Sequence, residues 1–454
     1  MLFFYFTRRL REIQDTLRIK MIKKFPPSAV DKRQSCDILS AKNNHLQSDP
    51  LLQRGKTMKD LQITTGLFGA LPPSETLGSL VKSIELQKQG VEVFMLSVGE
   101  PDFDTPDFIK KACAEAMMRG ETKYTVPAGI SELREACAAK FLADGVKTAP
   151  SQVIVTPGGK FACGAAIAAA CGPGDEVILP VPYWVSHLHL INASGAKPVL
   201  VQTYPENNFE LTESDLERYV NGRTRMVVLC SPSNPTGAVY RREALEMLGR
   251  WAVEKNFLIL SDEVYEKLAY DKEMPHISIG SLSEEINDRV ITIDSFSKSY
   301  AMTGWRVGFL TAPAWLSAKI DALQTHLAAN VTTFAQFGAL KALQAGDGVC
   351  SMMKDSFAKR RDLFCGLLSE IPQVSFIRPS GAFYVFADIS FARMGSMEFC
   401  DRLMEKAHIA AAPGSGFGAD NFIRFSYACS EDVIKRSLER FADFCSGGFS
   451  HDFK

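Results

Sequence analysis

The sequence predicts an α/β protein: a mostly parallel sheet buried between helices, followed by a smaller α+β region. Two observations carry this. From about residue 60, short and continuously apolar runs alternate with helical segments, the pattern of a sheet covered on both faces. From about Phe334 the pattern changes to long helices with few strands. The apolar runs are Val153–Val155, Val177–Leu179, Met226–Cys230, Phe257–Leu260, Val290–Ile293 and Val307–Leu310, with Ala382–Phe386 and Phe422–Ser426 in the later region.

The elements follow in order. Thr105-Pro106-Asp107 reads as a helix start: a hydroxyl N-cap, a proline in the first turn, then an acid at the positive end of the dipole. The helix it opens carries Ile109, Ala112, Cys113, Ala116 and Met117 on one face. Ser131 to Phe141 is a second helix. Phe161 to Cys171 is Ala-rich and bounded by glycine and proline, too short to span a membrane, and reads as a buried helix.

Composition excludes several classes. The chain has 454 residues, 51 Lys+Arg against 52 Asp+Glu, and 46% apolar residues. It is too apolar to be disordered and too neutral to coat nucleic acid or an anionic membrane. The eleven cysteines are scattered, with no CxxC pair and no Cys/His cluster at metal-ligand spacing. A reducing compartment is expected, and no metal site.

The N-terminal 60 residues differ from the rest. An apolar patch, Met1 to Phe6, precedes a basic stretch that includes Arg8, Arg9, Arg11, Lys23 and Lys24. A secretory signal has the reverse order, and Glu12, Asp15, Asp31 and Asp37 interrupt what would be a transit peptide. The segment is expected to be a mobile extension of a cytoplasmic protein, with organelle targeting as the weaker alternative. Met21 and Met58 are both plausible starts.

In a parallel sheet, ligands bind beyond the carboxyl ends of the strands. After Val155 comes Thr156-Pro157-Gly158-Gly159-Lys160, a helix N-terminus open to an anion, although such a pair is more often only a turn. After Leu179, Trp184 could stack on a flat ring or pack beneath a loop. After Cys230, two prolines and a glycine stiffen the loop that holds Asn234. Asp262 ends an apolar strand, where an acid is costly unless a cation faces it. After Ile293, Lys298 sits among Ser295, Ser297 and Ser299, with Arg306 beyond. A desolvated lysine can form an imine with an aldehyde, and hydroxyls with an arginine fork suit a phosphate. Pyridoxal phosphate explains all five strand ends.

These strings occur in family order. Gly-Glu-Pro-Asp-Phe-Asp-Thr-Pro (Gly99 to Pro106), Asn-Pro-Thr-Gly, Ser-Asp-Glu-Val-Tyr, Ser-Phe-Ser-Lys-Ser-Tyr-Ala-Met-Thr-Gly-Trp-Arg and Pro-Ser-Gly-Ala-Phe-Tyr resemble the class I aminotransferases, aspartate/prephenate aminotransferase-like. The resemblance runs from about Leu71 to the C-terminal region. It implies the fold type I architecture of pyridoxal-phosphate enzymes, with a seven-stranded sheet. It also implies an N-terminal arm and part of the small domain over 61–110, a large cofactor domain over 111–333 and a C-terminal small domain over 334–454.

By the same resemblance Lys298 bonds the cofactor aldehyde and moves the substrate proton. Asp262 pairs with the pyridine nitrogen. Tyr265 and Asn234 hold the ring hydroxyl oxygen, and Trp184 stacks on the ring. Gly158, Gly159, Ser295, Ser297 and Arg306 take the phosphate, and Tyr124 reaches the phosphate of a neighbouring subunit in a homodimer. Arg424 forks onto the substrate α-carboxylate, with Gly99, Trp184 and Asn234 beside it. Lys160 and Thr76 would recognise a distal carboxylate.

The implied reaction is a ping-pong amino transfer between aspartate and 2-oxoglutarate. Two departures from the family pattern stand against strict dicarboxylate selectivity: Pro72 replaces a lysine, and His326-Leu327-Ala328-Ala329-Asn330 replaces a Ser/Thr-rich loop. The alternatives are an aromatic or prephenate aminotransferase and, behind it, a cysteine-conjugate β-lyase. A transcription regulator built on this fold would need a winged DNA-binding domain, for which the 60-residue extension is short.

Overall fold

The computed structural model describes residues 83–447. The 1–60 extension, Pro72 and Thr76 lie outside these residues, as does the first part of the expected arm. The main sheet has seven strands: β2 (Val153–Thr156), β3 (Glu176–Val181), β4 (Lys197–Gln202), β5 (Thr224–Cys230), β6 (Leu258–Asp262), β7 (Val290–Ser295) and β8 (Gly308–Thr311). Their spatial order is β2-β8-β7-β6-β5-β3-β4. Every pairing is parallel except the two made by β8.

Six of these strands follow the apolar runs. The run reading missed β4 because Lys197, Pro198 and half-exposed neighbours place it at the sheet edge, without a continuous buried stretch. Alternation along the central strands sorts the core. Leu179, Val228, Leu260 and Ile293 pack with the helix Gly159–Ala170, whereas Ile178, Val227, Ile259 and Val290 pack with the helix Arg242–Lys255. Each such buried aliphatic side chain contributes roughly 1.5–3 kcal/mol.

A second sheet, antiparallel and four-stranded, has the order β12-β13-β10-β9, from β9 (Ser375–Phe376), β10 (Tyr384–Asp388), β12 (Ala412–Pro413) and β13 (Phe422–Ser426). Short strand β1 (Phe94–Met95) pairs in parallel with β11 (Ile409–Ala410). The Ser426 amide then donates to the Leu96 carbonyl at 2.7 Å, which sets Ser97 and Gly99 beside β13.

Three local expectations change. Thr105 does not cap its helix: Asp107–Met118 starts after Pro106 with no side-chain cap. The Thr105 hydroxyl donates instead to the Ala301 carbonyl at 2.5 Å and accepts from Trp305 Nε1 at 3.0 Å. It fastens the helix entry to the segment after Lys298. Met117 is 45% exposed rather than on the buried face. Strand β10 starts at Tyr384, not Ala382, because Ala382 takes a left-handed φ of 56° and belongs to the preceding loop. The helix Thr333–Gln344 packs through Ala335, Ala339 and Ala342 on the cluster that holds Val155 and Phe309 of the main sheet.

Candidate active site

Because β2, β3, β5, β6 and β7 run in parallel, their carboxyl ends share one edge of the sheet. Strand β8 returns antiparallel beside β7, so the segment from Phe296 to Val307 stays at that edge. It carries Lys298 and Arg306. Strand β8 also pairs with β2, with Gly308 opposite Thr156. That register brings Gly308 against the Gly158-Gly159 turn. A Cβ on Gly308 would meet the Gly159 nitrogen at 2.6 Å, and one on Gly158 would meet Arg306 Nη2 at 2.5 Å. Gly158 has a φ of 85°, which glycine adopts without strain. Only glycines permit this cradle.

The strand ends line one cavity of about 440 Å³. Of the residues expected from sequence, Gly99, Gly159, Lys160, Trp184, Asn234, Asp262, Tyr265, Ser295, Ser297, Lys298, Arg306 and Arg424 line it. Gly158 lies directly behind, against Arg306. Tyr124 does not reach this cavity and is 89% exposed.

At one end, Ser295 accepts from the Ser297 amide at 3.2 Å and donates to the Ser297 hydroxyl at 2.9 Å. Arg306 is held by the Thr303 carbonyl at 2.8 Å. Two hydroxyls, a guanidinium and the Gly158-Gly159 helix start converge here, a donor set suited to a phosphate dianion.

In the middle, Lys298 Nζ donates to the Gly99 carbonyl. Burial pulls its amine down to about 8; Glu100 opposes this, while Arg424, Arg306 and Lys160 add to the fall. Roughly a tenth of the amine is therefore neutral at pH 7, and about half at pH 8. Asp262 Oδ2 lies 3.2 Å from His187 Nε2, and Asp262 Oδ1 is buried with no partner. A buried carboxylate oxygen without a donor fits a site that awaits a protonated ring nitrogen. Tyr265 is pushed well above the usual phenol range by burial and by Tyr384, so it keeps its proton.

At the other end, Arg424 on β13 is buried. It donates to the Asn234 side-chain oxygen at 2.8 Å and the Ser97 carbonyl at 2.6 Å. Its Nε has no partner. Its charge rests over the rings of Tyr384 at 4.4 Å and Phe417 at 5.0 Å. Lys160 stands at the exposed rim, 5.2 Å from the Trp184 ring centroid.

Sequence reasoning missed three residues here. His187 sits one helical turn after Trp184, edge-on to its ring at 5.0 Å. That spacing was the available signal. Tyr384, at the end of the Pro-Ser-Gly-Ala-Phe-Tyr string, bonds the Tyr265 hydroxyl at 2.7 Å, and a Cβ on Gly99 would collide with its hydroxyl. Ser97 carried no signal. Cys163, His187 and Asp262 also lie close enough together to hold a metal ion, a grouping that sequence spacing does not reveal. Here they form a hydrogen-bonded set beneath the cavity.

The phosphate-type cradle, the buried lysine and the buried arginine of this cavity suit a cofactor-dependent transferase. The profile of the aminotransferase class I and II family matches residues 91–441, and the chain belongs to that family. It is an aminotransferase acting on amino and 2-oxo acids. It is 43% identical over 376 residues to a probable aspartate/prephenate aminotransferase of Aquifex aeolicus, covering 82% of this chain and 95% of that protein. It is 38% identical over 381 residues to the aspartate aminotransferase of Bacillus subtilis, covering 83% and 97%. The solved structure of Thermus thermophilus aspartate aminotransferase with maleate matches with a TM-score of 0.80 at 39% identity, covering 84% of this chain and 99% of that one. Among the described residues, no helix is long and apolar enough to cross a membrane.

Proposed function

We propose that this aminotransferase holds pyridoxal 5′-phosphate in the 440 Å³ cavity and moves the amino group between L-aspartate and 2-oxoglutarate. One observation carries the substrate reading. The same cavity offers a buried arginine, Arg424, and a rim lysine, Lys160, which is one cation for each carboxylate of a dicarboxylic amino acid.

When bound, the cofactor supplies an electron sink for the substrate α-carbon. Gly158, Gly159, Ser295, Ser297 and Arg306 would hold its phosphate. Asp262, backed by His187, would accept from a protonated ring nitrogen and favour the cationic ring. Tyr265, Asn234 and Trp184 line the same cavity and would hold the ring. Lys298, with its lowered pKa, would take the proton from the substrate α-carbon on its Nζ and hold it for return. Arg424 fixes the α-carboxylate as a fork, and Ser97 and Asn234 hold Arg424 in place.

The aromatic or prephenate alternative has support in the name of the Aquifex relative and in the Ala328-Ala329 substitution. A homodimer with shared active sites is part of the proposal, supported by the exposed Tyr124, Met118 and Val126. So are the large and small domains, split near residue 333, and a reducing, cytoplasmic location, supported by ten free thiols among the described residues. The test is steady-state turnover of the cofactor-loaded protein with 2-oxoglutarate as acceptor and aspartate, phenylalanine or glutamine as donor. Aspartate as the best donor supports the proposal. Phenylalanine as the best donor overturns its substrate part.

A further inference from the structure

Behind the cofactor cavity, on the other side of β7, a lysine meets three carboxylates. Lys140 Nζ lies 2.6 Å from Asp294 Oδ2, 2.7 Å from Glu266 Oε1 and 3.0 Å from Asp144 Oδ2. One ammonium faces all three as ion pairs, although the Glu266 Oε1 and Asp144 Oδ2 that face it make no hydrogen bond. The Lys140 side chain is 11% exposed, those of Glu266 and Asp294 5% each. The partners are specific in sequence. Glu266 follows Tyr265, and Asp294 precedes Ser295. The second oxygen of Asp294 accepts from the Ser295 amide at 2.6 Å, and Ser295 in turn holds Ser297.

We propose that Lys140 is a positioning residue for the cofactor site: its one ammonium ties the turn bearing Tyr265 to the turn bearing Ser295, Ser297 and Lys298. This rests on the cofactor reading above. Packing alone does not account for the cluster. An apolar group of the same volume is often as stabilising as a buried ion network, and in some proteins such a network fixes direction.

The surrounding charges fit this role. Lys267 lies 3.8 Å from Glu266 and also pairs with Asp347, and His276 pairs with Glu263 at 3.1 Å. Lys140 is thus the cation shared between Glu266 and Asp294. Burial pushes Asp294 up to about 7, against the pull of Lys140. Burial acts downward on Lys140, but Asp294, Glu266 and Asp144 together hold it well above the usual lysine range. Removing the cation would therefore protonate or displace the carboxylate that holds the Ser295 amide.

The test uses the full chain with Lys140→Met, Lys140→Arg and Asp294→Asn. Asp294→Asn cuts the tether without leaving an added uncompensated charge, so it serves if Lys140→Met does not fold. Hydrogen–deuterium exchange is measured on the cofactor-free protein over Ser295 to Ser299. The release rate of pyridoxal phosphate and the pH midpoint of its protein-bound absorbance are measured on the loaded protein. Lys140→Met and Asp294→Asn should each raise exchange there and speed release by a factor of ~10 or more, and shift the midpoint, with Lys140→Arg restoring most of each. A lower melting temperature with exchange, release and midpoint as in the unsubstituted protein would overturn the proposal and leave Lys140 with a packing role. Failure of the unsubstituted protein to take up pyridoxal phosphate would sink the cofactor reading instead; the tether is still decided by exchange in the cofactor-free protein.

Discussion

Arg424 donates from Nη1 to the side-chain oxygen of Asn234 at 2.8 Å, a bond that joins β13 of the four-stranded sheet to the loop after β5 of the main sheet. The two polar ends of the cavity are therefore set by different sheets. Ser97, delivered by the β1–β11 pairing, holds the other side of the guanidinium at 2.6 Å.

This arrangement fixes a planar fork, which lysine cannot reproduce. Arg424→Lys should lower kcat/KM for aspartate and phenylalanine alike by roughly 10- to 100-fold, the value of a lost charge-assisted contact. Affinity for pyridoxal phosphate should fall less, through the altered Arg424–Asn234 contact. Steady-state kinetics with both donors checks this.

The Lys298 amine makes a pH prediction. Its pKa in the folded protein, about 8, lies below the ordinary lysine value of 10.5. The folded state thus releases its proton first. The cost of burying the charge is felt in full below about pH 8 and is relieved between there and 10.5, so this group favours folding more as pH rises. Covalent capture of pyridoxal phosphate by the cofactor-free protein should speed up with pH, with a midpoint near 8, and Lys298→Ala should abolish the covalent phase while leaving non-covalent binding. Stopped-flow absorbance measures both.

Asp262→Asn keeps the shape of the site but removes the charge opposite the ring nitrogen. The rate of the first half-reaction should fall roughly 100-fold or more, as when a preorganised electrostatic partner is lost. His187→Leu should slow the reaction less, because His187 only backs Asp262 Oδ2 at 3.2 Å. Single-turnover absorbance with aspartate ranks the two.

Lys160 is the test of substrate choice. Lys160→Ala should cut the preference for aspartate over phenylalanine by roughly 10- to 100-fold, mostly by weakening aspartate. Competition between the two donors in one reaction reads the ratio directly.

Much of this site was legible because its residues stand at strand ends. An apolar run followed by Gly-Gly, by Asn between prolines, by an acid or by a lysine among serines announces a ligand edge before any fold is known. The strand β4 was not legible from burial, since an edge strand with Lys197 and Pro198 has one wet side. Thr105 misled because a hydroxyl before a proline is as able to bond a distant carbonyl, here Ala301, as to cap a helix. His187, Tyr384 and Lys140 act through contacts 75, 119 and more than a hundred residues away, and no local pattern marks such partners.

The central claim is that two cations in one cavity select a dicarboxylic amino acid. The most direct measurement is a single-turnover absorbance titration of the cofactor-loaded protein with aspartate, glutamate and phenylalanine, each without a keto acid. The account predicts that aspartate and glutamate convert the aldehyde-form band to the amine-form band faster than phenylalanine by about tenfold or more. Faster conversion by phenylalanine would contradict it and make the cavity an aromatic site.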